Sequence, residues 1–201
     1  MTSYSKRQQD QLRRFLEWKT TEGGVEGPTQ LKTLFKAHQR ARMDWLKANA
    51  VGYTLEIGCN FGFVLAYMGG HVGIDISPMN IELARVLSPD LEFHVADATA
   101  LPFDNRAFQT VAIPETLEHL DFPNGVRRAI QEACRVAWGR VLVTMPEGSR
   151  DTEDATSFKH RFLLDARTLE ELLNMFPPGR GLTVEQTEYF VLIRHDLKER
   201  T

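Results

Sequence analysis

The residues that could do chemistry stand where four apolar segments of the chain end. The first segment contains Glu56 and ends in Gly58-Cys59-Asn60-Phe61-Gly62. Glycine lets backbone N–H groups approach a ligand closely, and a helical pattern from Phe63 would aim its N-terminus at the same place. The stretch therefore predicts a strand, a glycine turn and a helix that hold a nucleotide-like ligand.

The next three apolar segments also end in residues that suit such a ligand. Asp75, nineteen residues after Glu56, could accept hydrogen bonds from both hydroxyls of a ribose. Asp97-Ala98 could recognise an adenine amino group, and Pro114-Glu115 follows the fourth segment. Ligands of open α/β sheets bind at the carboxyl ends of the strands, so these residues are expected to meet at one edge.

Glu56 separates two classes of nucleoside-binding enzyme. A dinucleotide dehydrogenase seats its pyrophosphate on G-x-G-x-x-G, whereas position 60 is asparagine here. A carboxylate at position 56 would also repel a pyrophosphate. It suits a cationic ligand instead, and the sulfonium and amino groups of S-adenosylmethionine are cationic.

The elements that must position these residues alternate between strand and helix patterns. This alternation predicts an α/β fold with a doubly wound, mostly parallel seven-stranded sheet and an antiparallel edge hairpin. The predicted strands are 53–58, 71–76, 91–96, 108–113, 140–145, 182–187 and 189–194. The helices predicted between and after them are 61–69, 78–87, 123–136 and 165–175.

Residues 1–49 are expected to form a helical cap or lid on a core of residues 50–201. Its two amphipathic helices, joined by a hinge rich in glycine and proline, are predicted at 4–20 and 29–49. His38 and Arg42 lie on the apolar stripe of the second helix. They could pack on the core or face a ligand.

Composition indicates one globular domain and limits the classes of partner that the protein is expected to bind. The 201 residues carry a net charge of −3, and basic residues cluster no further than pairs, which disfavours a long nucleic-acid footprint. Cys59 and Cys134 are expected to be buried thiols in a reducing compartment. No apolar run approaches the ~20 residues of a membrane span. These features predict a cytoplasmic protein with no membrane partner.

Four motifs in order resemble those of class I S-adenosylmethionine-dependent methyltransferases, of the small-molecule kind called type 11. Leu55–Gly62 is similar to the first motif, E/D-x-G-x-x-x-G, with Asn60 at the second glycine of the usual G-x-G. Gly73–Ser77 resembles the second motif, Ala96–Phe103 resembles the third, and Glu115–Leu120 resembles the fourth. The resemblance implies a Rossmann-like fold and S-adenosyl-L-methionine as cofactor.

The resemblance also implies which residues bind that cofactor. Gly58 and Gly62 would admit the methionine moiety, Asp75 would hold the ribose, and Ile76 would pack on the adenine. Asp97 would accept a hydrogen bond from the adenine amino group. The implied set is Glu56, Gly58, Cys59, Gly62, Asp75, Ile76, Asp97, Ala98 and Pro114.

The residues after the fourth strand are expected to face the reactive methyl group. No Asn/Asp-Pro-Pro-Tyr/Phe sequence is present, which argues against methylases of adenine or cytosine amines. His119 is a candidate general base because its unperturbed pKa is near neutrality, and Glu118 is the second candidate. The alternative is that both side chains only cap or pack the turn.

A divalent metal such as Mg²⁺ is a further interpretation of the same segment. Glu115, Glu118 and His119, with His160 from a later loop, resemble the ligands of two O-methyltransferase groups. One group methylates small-RNA 3′-ends and the other methylates catechol-like quinone precursors. Glu-x-x-Glu-His also occurs in small-molecule methyltransferases with no assigned metal, so both interpretations stay open.

The sequence therefore predicts methyl transfer to a small-molecule acceptor, at oxygen. An RNA 3′-terminal ribose 2′-O-methyltransferase is one alternative, although it needs a basic groove that a pI of about 6.1 does not favour. A catalytically silent accessory subunit that binds the cofactor is another.

Overall fold

A computed structural model describes residues 37–146 and 164–197 of the chain. Its strands are β1 (Thr54–Ile57), β2 (Val72–Asp75), β3 (Glu92–Val95), β4 (Phe108–Pro114), β5 (Ala137–Pro146), β6 (Gly181–Gln186) and β7 (Phe190–Asp196). Its helices are α1 (Ala37–Asn49), α2 (Phe63–Met68), α3 (Pro78–Leu87), α4 (Asn124–Val136) and α5 (Ala166–Leu173), with a short 3₁₀ helix at Leu117–His119.

The seven strands form one sheet in the order β3-β2-β1-β4-β5-β7-β6. The first five strands are parallel, and β7 runs antiparallel to both β5 and β6. The predicted doubly wound sheet with an antiparallel edge pair is confirmed. Strand order reverses between β1 and β4, so the crevice where ligands bind in such sheets opens at their carboxyl ends.

Alternate residues of the central strands serve the two faces of the sheet. Leu55 and Ile57 pack in one core with α4, whereas Ala112 and Leu142 pack in another with Leu46 of α1. Successive strand side chains point to opposite faces, so Glu56 is directed to the face that α1 and α2 cover. All four residues of β1 are buried, Glu56 included.

Strand β5 differs from its prediction, because it starts at Ala137 and follows α4 without a loop. Gly139, before the predicted start, lies within the strand. A Cβ on Gly139 would stand 2.6 Å from the Gln109 carbonyl oxygen, so the glycine permits a close approach to β4. The helix predicted at 4–20, the hinge, and most of the loop after β5 lie outside the described residues. The division into cap and core stays a prediction.

Candidate active site

The turn after β1 takes a left-handed backbone at Gly58, Asn60 and Gly62, with φ of 74°, 48° and 74°. A Cβ on Gly58 would lie 2.3 Å from Thr116 Oγ1, and one on Gly62 would lie 2.5 Å from Phe93 Cζ. Both positions therefore require glycine, because the backbone is left-handed and neighbouring side chains leave no room for a Cβ atom. Their predicted role in admitting the cofactor stays a prediction, since these contacts already explain the residue type.

Asn60 replaces a glycine of the usual motif without disturbing the turn. Asparagine is among the residues that tolerate a left-handed backbone best. The N–H of Asn60 donates to Asp75 Oδ2 at 2.9 Å, which ties the turn to the end of β2. Cys59, inside the turn, is buried, and burial raises the pKa of its thiol far above its ordinary value.

Asp75 is already a hydrogen-bond acceptor for three protein groups. Besides Asn60, it receives the Ser77 N–H at 2.9 Å and the Asn80 Nδ2 at 3.1 Å, both on Oδ1. A carboxylate offers about four lone-pair sites. A ribose hydroxyl would thus meet a carboxylate whose orientation is fixed in advance and whose remaining capacity is small.

Beside Asp75, the apolar side chains of Ile76 and Met79 are 71% and 69% exposed. Such surface suits the predicted packing of Ile76 on an adenine ring. Met79, which the sequence analysis did not name, lies in the first turn of α3 directly after Pro78 and adds a second exposed apolar side chain there. Asp97 is exposed and its Oδ1 accepts from the backbone and hydroxyl of Thr99, both at 2.8 Å. The structure places Ala98 next to it, half-buried.

Three carboxyl groups and one guanidinium gather at the ends of β1 and β4. We call Glu56, Glu115, Glu118 and Arg42 the acidic cradle. Arg42 Nε lies 3.1 Å from Glu115 Oε1, while Glu56 and Glu118 are each 2% exposed with an Oε2 atom that has no hydrogen-bond partner. Pro114, which was predicted to contact the cofactor, is buried and ends β4 directly before this cluster.

Burial controls the charge of the cradle. Desolvation raises the pKa of Glu56 well above its ordinary value, and the nearby guanidinium of Arg42 opposes this shift. Burial and then the Glu115 charge raise the pKa of Glu118 in the same way. Glu56 was expected to act as an anion, whereas its burial disfavours the ionised form.

Arg42 is the residue whose position sequence analysis left open. It is 4% exposed on α1, where its Nε also donates to Gln39 and its Nη1 to Thr144 of β5 at 3.4 Å. Its guanidinium carbon stands 5.5 Å from the centre of the Phe190 ring. Arg42 therefore joins the cradle, whereas His38 stacks on Tyr189 with ring centres 4.4 Å apart.

The two predicted bases, Glu118 and His119, share the 3₁₀ helix that follows β4. Glu118 is buried and His119 is half-buried, with its backbone N–H bonded to Thr116. Their catalytic roles stay predictions. Glu115, directly before this turn, has a left-handed φ of 44° and forms an ion pair with Arg42.

The described donors do not fit the predicted metal site. Within residues 37–146 and 164–197, no group of three or more His, Cys, Asp or Glu side chains is arranged to hold a metal ion. Glu115 is engaged by Arg42, and His160 lies outside the described residues. The set Glu115, Glu118, His119 and His160 therefore gains no support, and no step is derived through a metal.

Known proteins resemble this chain in sequence and in fold. Residues 55–139 match the sequence family described as "Methyltransferase domain". No curated protein sequence matches the chain. Similar solved structures include a protein from Pyrococcus horikoshii, 18% identical with a TM-score of 0.65, which covers 91% of this chain and 99% of that one.

Two further structures of the same fold come from a bacterium and an archaeon. A Thermotoga maritima methyltransferase titled "possible histamine N-methyltransferase" is 17% identical with a TM-score of 0.68, covering 92% of this chain and 99% of that one. A Haloferax volcanii methyltransferase, solved with the activator Trm112, is 16% identical with a TM-score of 0.62, covering 85% and 93%.

The matched segment spans β1 to the start of β5, which includes all four motif-bearing strand ends. Residues 55–139 therefore form a methyltransferase domain, and the described fold is that of S-adenosylmethionine-dependent methyltransferases. The family implies S-adenosyl-L-methionine as the cofactor. None of the helices in the described ranges is long and apolar enough to cross a membrane.

Proposed function

We propose that this methyltransferase acts on a small-molecule acceptor and transfers the methyl group to oxygen. The observation that carries the proposal is the unpartnered Oε2 of Glu118, buried in the turn directly after β4. A buried polar atom without a partner calls for a ligand donor. An acceptor hydroxyl is such a donor, and it must lose its proton when it attacks.

The cofactor supplies an electrophilic methyl group. The protein therefore has to bind and orient the acceptor and to accept its proton. The turn at 58–62 would hold the methionine moiety, Asp75 would hold the ribose, and Glu56 would balance the positive charge of the cofactor. Glu118 would take the hydroxyl proton. Since burial raises the pKa of Glu118, its carboxylate is a stronger base than an ordinary one. His119, next in the chain, is the second candidate for this role.

The charges of the chain favour a small acceptor over RNA. Binding to a phosphate backbone is supplied mainly by Lys and Arg. The net charge is −3, and the cradle holds three carboxyl groups against one guanidinium. The described site therefore offers a polyanion little positive charge to hold its phosphates.

The test is methyl transfer to a panel of phenols, aliphatic alcohols, amines and a short RNA with a free 3′ end. We expect product methylated at the oxygen of a small compound. Glu118→Gln should lower kcat by about 10²- to 10⁴-fold and flatten the rise of activity with pH, while affinity for S-adenosylhomocysteine is kept. Glu82→Gln, an exposed change on α3, is the matched control.

Transfer to amines alone or to RNA alone would contradict the proposed acceptor. Amines belong in the panel because the T. maritima structure is titled after an amine methyltransferase. If the Glu118→Gln variant keeps full turnover and its pH profile, Glu118 is not the base. The corresponding His119→Asn variant then tests the second candidate.

A further inference from the structure

A cleft at the amino edge of the sheet has no part in the proposed function. Its volume is about 300 Å³, and its lining includes Tyr53 directly before β1, Glu92 of β3 and Phe108 of β4. This volume is at the lower end of the ~300–1,000 Å³ that is typical of small-molecule sites. The four residues of β1 separate the cleft by roughly 13 Å from the turn at 58–62, so it is distinct from the candidate active site.

Three aromatic rings form the apolar part of the amino-edge cleft. The Tyr53 ring is parallel to the Phe108 ring, with centres 5.3 Å apart and an angle of 9° between the planes. The Phe103 ring meets the Phe108 ring at 86°, with centres 5.0 Å apart. Tyr53 and Phe103 are therefore two walls at nearly a right angle, on either side of a buried Phe108. The faces of such rings attract a cation that lies within about 6 Å of their centres.

The polar part of the cleft is negative. Among the described residues that line it, Glu92 and Asp104 are the charged ones, and both carboxylates are exposed. Burial and then the nearby charge of Glu92 raise the pKa of the Tyr53 hydroxyl, so the carboxylate lies within electrostatic reach of this ring. Glu92 Oε1 contacts His94 Nε2 at 2.6 Å, which uses one of about four acceptor sites on the carboxylate. Glu92 therefore keeps capacity for a positively charged guest.

The loop that carries Phe103 and Asp104 is fixed to α4 by Arg135. The guanidinium donates to the carbonyl oxygens of Phe103 at 2.7 Å and of Leu101 at 3.0 Å, and it pairs with Glu132 at 2.7 Å. A wall held in this way lowers the cost of ordering the site when a ligand binds. The charge of Arg135 also reaches Asp104, so a cation in the cleft is expected nearer Glu92 and Tyr53.

We propose that the amino-edge cleft binds a small organic ammonium ion, with its charge between the Tyr53 ring and Glu92 and its apolar part against Phe103. Alkylated ammonium groups suit this setting, because aromatic faces attract them without hydrogen bonds and the carboxylate adds a counter-charge. The inference goes beyond the proposed function and does not depend on it. If the rings only covered the end of the sheet, the cleft would not prefer a cation to a neutral molecule of the same shape.

The experiment titrates the isotopically labelled protein with choline and with 3,3-dimethyl-1-butanol, and follows the backbone amides by NMR. The two compounds share their shape, but carbon replaces the charged nitrogen in the second. Choline should shift the amides of 53, 92 and 108 and bind at least about fivefold more tightly than the alcohol. Tyr53→Leu and Glu92→Gln should each weaken choline about 3- to 10-fold and reduce its advantage over the alcohol.

Two further variants serve as controls. Tyr53→Phe keeps the ring and should keep the preference for choline. Asp90→Asn removes the same charge as Glu92→Gln from an exposed position outside the lining, and it should change the affinity by less than about twofold because solvent and salt screen such a charge. If Tyr53→Leu does not fold, Glu92→Gln decides, since its side chain is exposed.

Equal affinity for the two compounds would overturn the proposal, and so would the absence of any saturable shift with choline. Shifts confined to residues 56–62 and 115–119 would place the ion in the acidic cradle and refute the amino-edge cleft as its site. Unchanged choline affinity in both Tyr53→Leu and Glu92→Gln would do the same. Sedimentation with phosphatidylcholine vesicles separates a free ion from a lipid headgroup, and binding to vesicles without binding of free choline would contradict the proposal.

Discussion

Replacing Glu56 by glutamine should make the folded protein more stable at neutral pH, relative to the wild type, than at pH 5. Glu56 is 2% exposed and one of its oxygens has no partner. Burial raises the pKa of its folded form above the ordinary value. The folded state therefore holds a proton that the unfolded chain has already released, and wild-type stability falls as pH rises through this window.

The size of the effect follows from linkage. One extra proton in the folded state costs about 1.4 kcal/mol of stability per pH unit above the ordinary carboxyl pKa, until the folded pKa is passed. Glutamine does not titrate, so the advantage of Glu56→Gln over the wild type should grow by up to that slope. Glu118 keeps its own pH dependence in both proteins.

The measurement is urea denaturation of both proteins at pH 5, 6, 7 and 8, without cofactor. Glu82→Gln, an exposed change on α3, should show no such trend. Saturating S-adenosylhomocysteine, whose ammonium group favours the ionised form, should reduce the difference. A difference between Glu56→Gln and wild type that is constant from pH 5 to 8 would refute the reasoning, because Glu56 would then be ionised and satisfied in the folded protein.

Three other perturbations test separate parts of the structure. Asp75→Ala removes the acceptor of three hydrogen bonds and should weaken S-adenosylhomocysteine by more than about tenfold in calorimetry; unchanged affinity would exclude Asp75 from the site. Gly62→Ala places a side chain on a left-handed backbone and against the Phe93 ring, so it should lower the free energy of unfolding by at least about 1–2 kcal/mol. Adding Phe93→Leu should recover only the share of this loss that comes from the contact with the ring. Burial lowers the pKa of His195, so wild-type stability should fall as pH drops below about 6.5; His195→Phe should remove that fall, and a persistent fall would point to another group.

The positions of the site residues along the sheet could be predicted because strand ends are local features. An apolar run followed by Asp75 or by Asp97 places the carboxylate at the carboxyl edge without knowledge of the neighbours. The alternation of strands with helices then fixes a parallel sheet. For the same reason, Asn60 could be placed in the turn, although only the structure shows its left-handed backbone.

The charges of the site could not be predicted, because they depend on residues far apart in the chain. Glu56 has the pattern of an ordinary strand-end carboxylate, and its burial arises only once α1 and α2 cover that face of the sheet. Glu115, the partner of Arg42, is separated from it in the sequence by the strands β1 to β4.

The contact between Arg42 and Glu115 gives the boundary near residue 50 a second meaning. Sequence patterns divide the chain there into a predicted cap and a predicted core. The ion pair shows that the cap also contributes a charged group to the core, because α1 brings a guanidinium to a cluster of three carboxyl groups. Shortening the chain to residue 50 would remove the guanidinium whose charge opposes the raised pKa of Glu56. Exchange of the N-terminal segment between related enzymes would therefore alter the electrostatic setting of methyl transfer as well as the choice of acceptor.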